Sequence, residues 1–366
     1  MWISCLGFVS YFGIRISDLV PMARLSALTL FPLLACFPLQ ASAQSFAIQY
    51  GTKVPPDVKL IYEHGLKYLA ASQQSDGGWS GGQRGAGITG MCLMVFLAQG
   101  EDPNFGQYSV NVRKAVRNII RSQNPSTGFI PSSMYHHGFA TLGLAEAYGA
   151  VDETLVYDDD SGGNRRSIGS ALELAVRCAV TSQKKNRWGG WRYSPEDANA
   201  DTSVSGAVLM GLLAARNAGV EVPDESIDKA LNYYRSSTSD SGMVAYSGGV
   251  GGHGVSMNRS AVAALVMAVG KRKDWKEYQA TLNHLTTRID HQESGYPFYF
   301  RYYMAQALFQ SNFDAWTKWK RENTRILRTL QQDDGSFPAS HGPPYGTAMA
   351  LLSLALDYRF LPIYER

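Results

Sequence analysis

Gln73-Gln74-Ser75-Asp76-Gly77-Gly78-Trp79 closes one helix-like stretch and opens another, and the chain repeats the phrase. It returns as Gln123-Asn124-Pro125-Ser126-Thr127-Gly128-Phe129, as Gln183 leading to Trp188-Gly189-Gly190-Trp191, and as Gln331-Gln332-Asp333-Asp334-Gly335-Ser336-Phe337. Weaker copies stand at Ser239-Asp240-Ser241-Gly242 to Tyr246 and at His291-Gln292-Glu293-Ser294-Gly295-Tyr296. Copies spaced about 40–60 residues apart mark a repeat architecture, in which each unit cannot bury its apolar face alone. Asp, Ser and Gly supply the turn, and the aromatic that follows wedges it against the helices.

Outward from each turn the pattern is helical. The segments before the turns, at 57–73, 110–123, 167–183, 225–237, 274–290 and 314–332, are amphipathic. In the fourth, Ile227, Ala230, Leu231 and Tyr234 share one face and charged residues take the other. The segments after the turns differ. Residues 88–99, 203–215, 259–270 and 345–356 are apolar all round and rich in small residues. A helix without a polar face is buried on every side. The spacing therefore predicts an all-α chain of six helix pairs. Closed into an α/α toroid, they put amphipathic helices in an outer ring and apolar helices in an inner ring around a central cavity.

The bulk numbers narrow the function. Of 366 residues 45% are hydrophobic, enough for a sizeable core, and the formal net charge is only +3. No long Lys/Arg cluster appears, which argues against nucleic acid. Residues 1–43 read as a leader, with 1–21 an upstream start-site extension. Met22-Ala23-Arg24 begins a basic region, Leu25 to Pro38 is apolar, and Ala41-Ser42-Ala43 is a small-residue cleavage signal. The reading is an exported protein, periplasmic or extracellular, with the toroid in 44–366. The rival is a lipoprotein signal at Leu33-Leu34-Ala35-Cys36, and lipidation of Cys36 would be the sole membrane anchor. Beyond the leader only Cys92 and Cys178 remain, which builds no disulfide framework and no metal site.

The repeated Gln…Asp-Gly-Gly-Trp turns resemble those of the terpenoid-cyclase and protein-prenyltransferase superfamily, the squalene-cyclase-like α/α toroids. The resemblance covers 57–358 and implies a structural role for the motif. It carries less chemistry. Cyclases of this kind protonate an alkene from an Asp-x-Asp-Asp-Thr motif. Here the stretch reads Ala198-Asn199-Ala200-Asp201-Thr202, so Asp201 is the candidate acid and two partner acids are missing. The zinc-binding residues of the prenyltransferase branch have no match, and no cofactor is implied.

In such a ring every inner helix points its N-terminus at one mouth, a setting that favours anions. The residues this places at the mouth include His136, His137, Asp201, Thr202, His253, Asn258, Arg259, Tyr299, Arg301, Tyr302 and Tyr345. They describe an aromatic, mildly cationic site for an anionic, polyhydroxylated or apolar ligand. Structural readings stand beside each: Asp201 as a helix cap, the histidines as caps or core, the tyrosines as packing. Three functions compete. The first is a cyclase-like toroid that binds a small molecule or oligosaccharide, and the second a polysaccharide-active enzyme like the α/α pectate lyases. The third is a scaffold for a protein partner.

Overall fold

The period-3.6 stripe of each outer segment becomes a helix with one buried face. In α3 (Ser109–Ser122) the buried apolar residues are Val112, Ala115, Val116, Ile119 and Ile120, at helical spacing. The other outer helices are α1 (Pro56–Ser72), α5 (Ile168–Gln183), α7 (Asp224–Ser237), α9 (Lys276–Thr286) and α11 (Phe313–Leu330). The inner helices are α2 (Ala86–Ala98), α4 (Met134–Ala147), α6 (Thr202–Asn217), α8 (Met257–Val269), α10 (Pro297–Ser311) and α12 (Pro343–Leu354). Every residue of α2 is buried, as its unbroken apolar sequence requires. The computed structural model describes residues 54–157, 165–247 and 256–364. The leader, Cys36, Asp158-Asp159-Asp160 and His253 lie outside the described residues.

Each inner helix packs on its two inner neighbours, and α12 returns to α2, so the ring closes. Small residues set the spacing. A methyl group on Gly143 would lie 2.8 Å from the Gly90 Cα, and one on Gly138 would lie 2.5 Å from the Ala207 carbonyl carbon. Helices α2, α4 and α6 thus meet backbone to backbone.

The repeated glutamine builds a belt around the outside. Gln73 Nε2 donates to the carbonyl of Gly77 in its own turn and to that of Asn111 in α3, at 2.9 and 3.0 Å. Gln123 does the same to Gly128 and Ala171, at 3.0 and 2.8 Å, and Gln183 to Gly189 and Ser226, at 2.7 and 2.8 Å. Gln331 reaches Gly335 and then Ile61 of α1, at 3.0 and 2.9 Å, which joins the last outer helix to the first. The turn glycine is equally constrained. Gly128 has φ +75° and a Cβ there would sit 2.0 Å from the Leu174 carbonyl oxygen. The tryptophans close the turns: Trp79 Nε1 donates to Leu69 O at 2.8 Å and Trp191 Nε1 to Ala179 O at 2.9 Å.

Two junctions depart from this plan. After α7, Thr238 stands in place of the glutamine, though Gly242 keeps the left-handed turn at φ +80°. After α9 neither glutamine tie nor left-handed glycine is present. That helix stops at Thr286, short of the expected 290, and a loop runs to Tyr296.

The far end of the ring is closed by residues 358–361. Tyr358 packs on Tyr62 of α1 at 4.7 Å, Arg359 lies over Phe309 of α10 at 5.8 Å, and Phe360 packs against Gly100 beyond α2. Both described cysteines are buried free thiols, and burial pushes Cys178 up to about 11.

Candidate functional site

The starts of the inner helices meet at one end of the ring. Gly87 of α2 donates its N–H to His136 Nδ1 of α4 at 3.2 Å, and Met134 N bonds the Tyr193 carbonyl at 2.8 Å. Tyr135 of α4 faces Tyr299 of α10 at 6.2 Å, and Tyr296 stacks on His341, just before α12, at 5.8 Å. Three of these helices carry polar side-chain caps, from Ser133, Asp201 and Ser256. The positive ends of the helix dipoles gather at this mouth.

Asp201 caps α6 on this mouth and is 1% exposed. Its Oδ1 accepts from Ser203 N and Val204 N at 2.8 and 3.0 Å, the cap of α6. Its Oδ2 accepts from the Tyr193 hydroxyl at 3.4 Å. The Tyr193 and Tyr246 hydroxyls lie 3.1 Å apart. Since Tyr193 has one proton and gives it to Asp201, Tyr246 is the donor to Tyr193. That hydrogen bond, then burial and Asp201, push the Tyr246 hydroxyl above its ordinary range. Arg192 covers both rings, 5.5 Å from Tyr193 and 5.9 Å from Tyr246. Arg259 Nε donates to Val244 O at 2.8 Å. Burial pulls its guanidinium down, and the nearby Asp201 charge opposes that pull. Asn258 beside it is 9% exposed, with a buried Oδ1 that accepts no hydrogen bond.

The expected central cavity is crossed by rings. Helices α4 and α10 face each other across the ring, and Phe139 meets Tyr302 at 6.0 Å in addition to the Tyr135–Tyr299 contact. Tyr303 packs on both Tyr299 and Tyr302 at 4.7 Å. Tyr302 and Tyr303 are 0% and 1% exposed, so these rings are core. The cause is residue size: α4 and α10 turn large aromatics inward, where the sequence reading placed a rim. Tyr299 is buried to its hydroxyl, beneath the mouth. Its hydroxyl neighbours those of Ser203, Tyr135 and Tyr303 without alignment for a hydrogen bond, and burial pushes it far up. Tyr345 stands edge-on to His341 at 5.0 Å on the same rim.

Other residues expected at the mouth serve the frame. His136 fills the place of a cap for α2, and burial lowers its pKa. His137 turns away from the axis. Its Nδ1 accepts from Ile130 N at 3.1 Å, so Nε2 carries the proton and donates to Ala175 O of α5 at 3.0 Å. Burial holds it neutral, down at about 4. Thr202 is wholly buried. It donates from Oγ1 to Ala245 O at 2.6 Å, while its own carbonyl accepts from Tyr234 at 2.5 Å. Arg301 points to the outer ring, where Asn323 of α11 and Gln292 accept from it, both at 2.8 Å. The mouth therefore brings together Asp201, Asn258, Arg259, Tyr299 and Tyr345, and leaves out His137, Thr202, Arg301 and Tyr302. Sequence reasoning missed Arg192, Tyr193 and Tyr246. Their signal was position, directly after a wedge tryptophan and at the end of the Ser239 turn.

Among the described residues, no group of three or more His, Cys, Asp or Glu could hold a metal. No described helix is long and apolar enough to cross a membrane.

Residues 58–347 match the family described as Domain of unknown function (DUF6288). No curated protein matches the chain. Solved structures share the fold at low identity. The GH76A α-1,6-mannanase of Salegentibacter sp. HEL1_6 aligns with TM-score 0.59 and 9% identity over 81% of this chain and 98% of its own. The GH76 α-mannanase of Bacteroides thetaiotaomicron aligns with TM-score 0.57 and 13% identity over 82% and 96%. The type II terpene cyclase MstE of Scytonema, in a variant bound to its geranylgeranyl dihydroxybenzoate substrate, aligns with TM-score 0.55 and 18% identity over 83% and 98%.

Proposed function

The chain belongs to the DUF6288 family, and from that premise we propose that the mouth of its toroid binds a neutral, polyhydroxylated ligand, an oligosaccharide. One observation carries the reading: exposed tyrosines and a buried carboxylate converge over an axis closed by aromatic rings. Tyr193, Tyr246 and Tyr296 are 49%, 41% and 51% exposed, each offering a flat apolar face and a hydroxyl. Asp201, Asn258 and Arg259 add a few fixed polar groups, as binding sites for small ligands do. A sugar can lie on the rings and exchange hydrogen bonds with the Tyr246–Tyr193–Asp201 relay. Export, the reading of residues 22–43, would place the site where glycans are met.

The reading is binding without hydrolysis. Hydrolysis ordinarily needs two facing carboxyl groups about 5–10 Å apart. Asp201 is held by its cap and by Tyr193. The inactive forms of the Salegentibacter mannanase replace two consecutive aspartates. Here Asp201 is flanked by Ala200 and Thr202. Among the described residues, the consecutive pair Asp333-Asp334 serves a turn, with Asp334 Oδ1 accepting from Ser336 N at 2.9 Å. A polyprenyl substrate fits less well, because the Tyr135–Tyr299 and Phe139–Tyr302 contacts occupy the chamber it would need.

The test is calorimetric titration with α-1,6-mannotriose and a panel of neutral oligosaccharides. Tyr193→Ala should weaken binding about tenfold or more, the loss typical of an aromatic anchor. Saturable binding of squalene or a prenyl diphosphate, with no oligosaccharide bound, would sink the proposal.

A further inference from the structure

The belt of turns has a gap between α9 and α11, and a charged side chain is buried in it. Arg301 is 6% exposed. Its two terminal nitrogens donate to the neutral oxygens of Asn323 and Gln292, and its Nε is buried with no hydrogen bond. Among the described residues no carboxylate lies within ion-pair distance of it. Glu322 acts on it from further off and is itself held by Arg325, at 2.9 and 2.6 Å. A guanidinium kept from water without a counter-charge is costly, and proteins ordinarily pair or ligate such a group.

Arg301 lines a cleft of about 240 Å³, together with Asp290, Gln292, Lys318, Trp319 and Glu322 among others. That is room for about eight waters, or for one sugar-sized molecule. We propose that this cleft binds a small hydroxylated monocarboxylate, with Arg301 as the anchor for its carboxylate. The planar guanidinium fork matches a carboxylate better than any other anion of that size carrying one charge. Lys318 adds a second cation. Asp290 and Glu322 accept from ligand hydroxyls and repel anions of higher charge. The ring of Trp319 supplies an apolar wall. The site lies between α10 and α11, on the side of α10 away from the axis, and is separate from the mouth.

The probe is sodium glucuronate, followed by calorimetry and by the melting temperature of the purified protein, with glucose and inorganic phosphate alongside. In the Tyr193→Ala background, glucuronate should saturate one site and raise the melting temperature, and the other two should not. Arg301→Gln should weaken binding about 10–100-fold, the loss of charge-assisted hydrogen bonds. Because that variant could also loosen the fold, exposed Lys318→Glu carries the test independently, with about two- to fivefold weaker binding. Tyr193→Ala, which breaks the mouth, should leave glucuronate binding intact. The proposal is overturned if glucuronate does not saturate, or if glucose or phosphate displaces glucuronate from its site. It is equally overturned if Lys318→Glu binds like the unmodified protein, or if Tyr193→Ala alone abolishes binding.

Discussion

The seam between α3 and α5 and the seam between α9 and α11 occupy equivalent places in the ring and are built in opposite ways. At the first, a neutral amide does the joining. Gln123 bonds Gly128 and Ala171, Gly128 presses on the Leu174 carbonyl, and His137 reaches Ala175. These contacts fall on one stretch of α5, and the half-buried Arg166 caps the seam by donating to the carbonyls of Ile120 and Gln123 at 3.0 and 3.2 Å. At the second, the motif has lapsed to His291-Gln292-Glu293-Ser294-Gly295, and a guanidinium from α10 spans the space. The comparison teaches that the motif is a seal. Where it is kept, backbone meets backbone. Where it is lost, a cleft opens and a cation is left facing it.

Breaking the sealed seam should show how much it holds. Gly128→Ala combines a left-handed φ with a clash against fixed backbone, and should cost about 3–5 kcal/mol, read from urea unfolding. An effect below about 1 kcal/mol would mean the turn relaxes freely, and the seal would be a poor description. His137 sharpens the same point through pH. Its pKa is about 4 when folded against an ordinary 6.5. The unfolded chain therefore takes up a proton first as pH falls. The stability due to a neutral His137 is complete above about 6.5 and is lost between there and about 4, in total about 3 kcal/mol. His137→Gln should flatten that part of the stability–pH curve, and an unchanged slope would assign the loss to other groups.

Gln123→Ala removes two buried hydrogen bonds and should cost about 2 kcal/mol. Gln292→Ala, at the open seam, should cost less than about 1 kcal/mol, because the Gln292 side chain is exposed and water can take the place of its oxygen on Arg301 Nη2. If the two glutamine variants prove equal, the distinction between the seams is wrong.

How much of this was legible in the sequence follows from what repeats. The helix pairs could be read because α3 alternates faces while α2 has none, and because each glutamine–glycine turn needs one backbone shape. The ring followed from the lack of any polar face on the inner helices. Side-chain direction within those helices could not be read. An all-buried helix such as α10 has no amphipathic phase, so nothing in its sequence separates Tyr299, toward the mouth, from Arg301, toward the outer ring. His137 failed for the same reason on α4. Arg192, Tyr193 and Tyr246 lie in irregular connections, where no period exists to place them. For Asp201, read as the candidate acid, the alternative of a helix cap was legible because its position one residue before an apolar helix is a local signal, and the structure shows that cap.

The hydrogen bond from Gln331 to Ile61 spans 270 positions of the chain. It links the last outer helix to the first, and α12 must likewise reach α2 before either buries its apolar seam. The native state therefore cannot be assembled progressively from one end, as an open solenoid can. Until the sixth repeat emerges from the ribosome, the first keeps a fully apolar helix edge with no permanent partner. Closure across so long a loop is slow. The half-made chain is a natural client for chaperones, and deleting the final repeat should yield aggregates in place of a smaller ring.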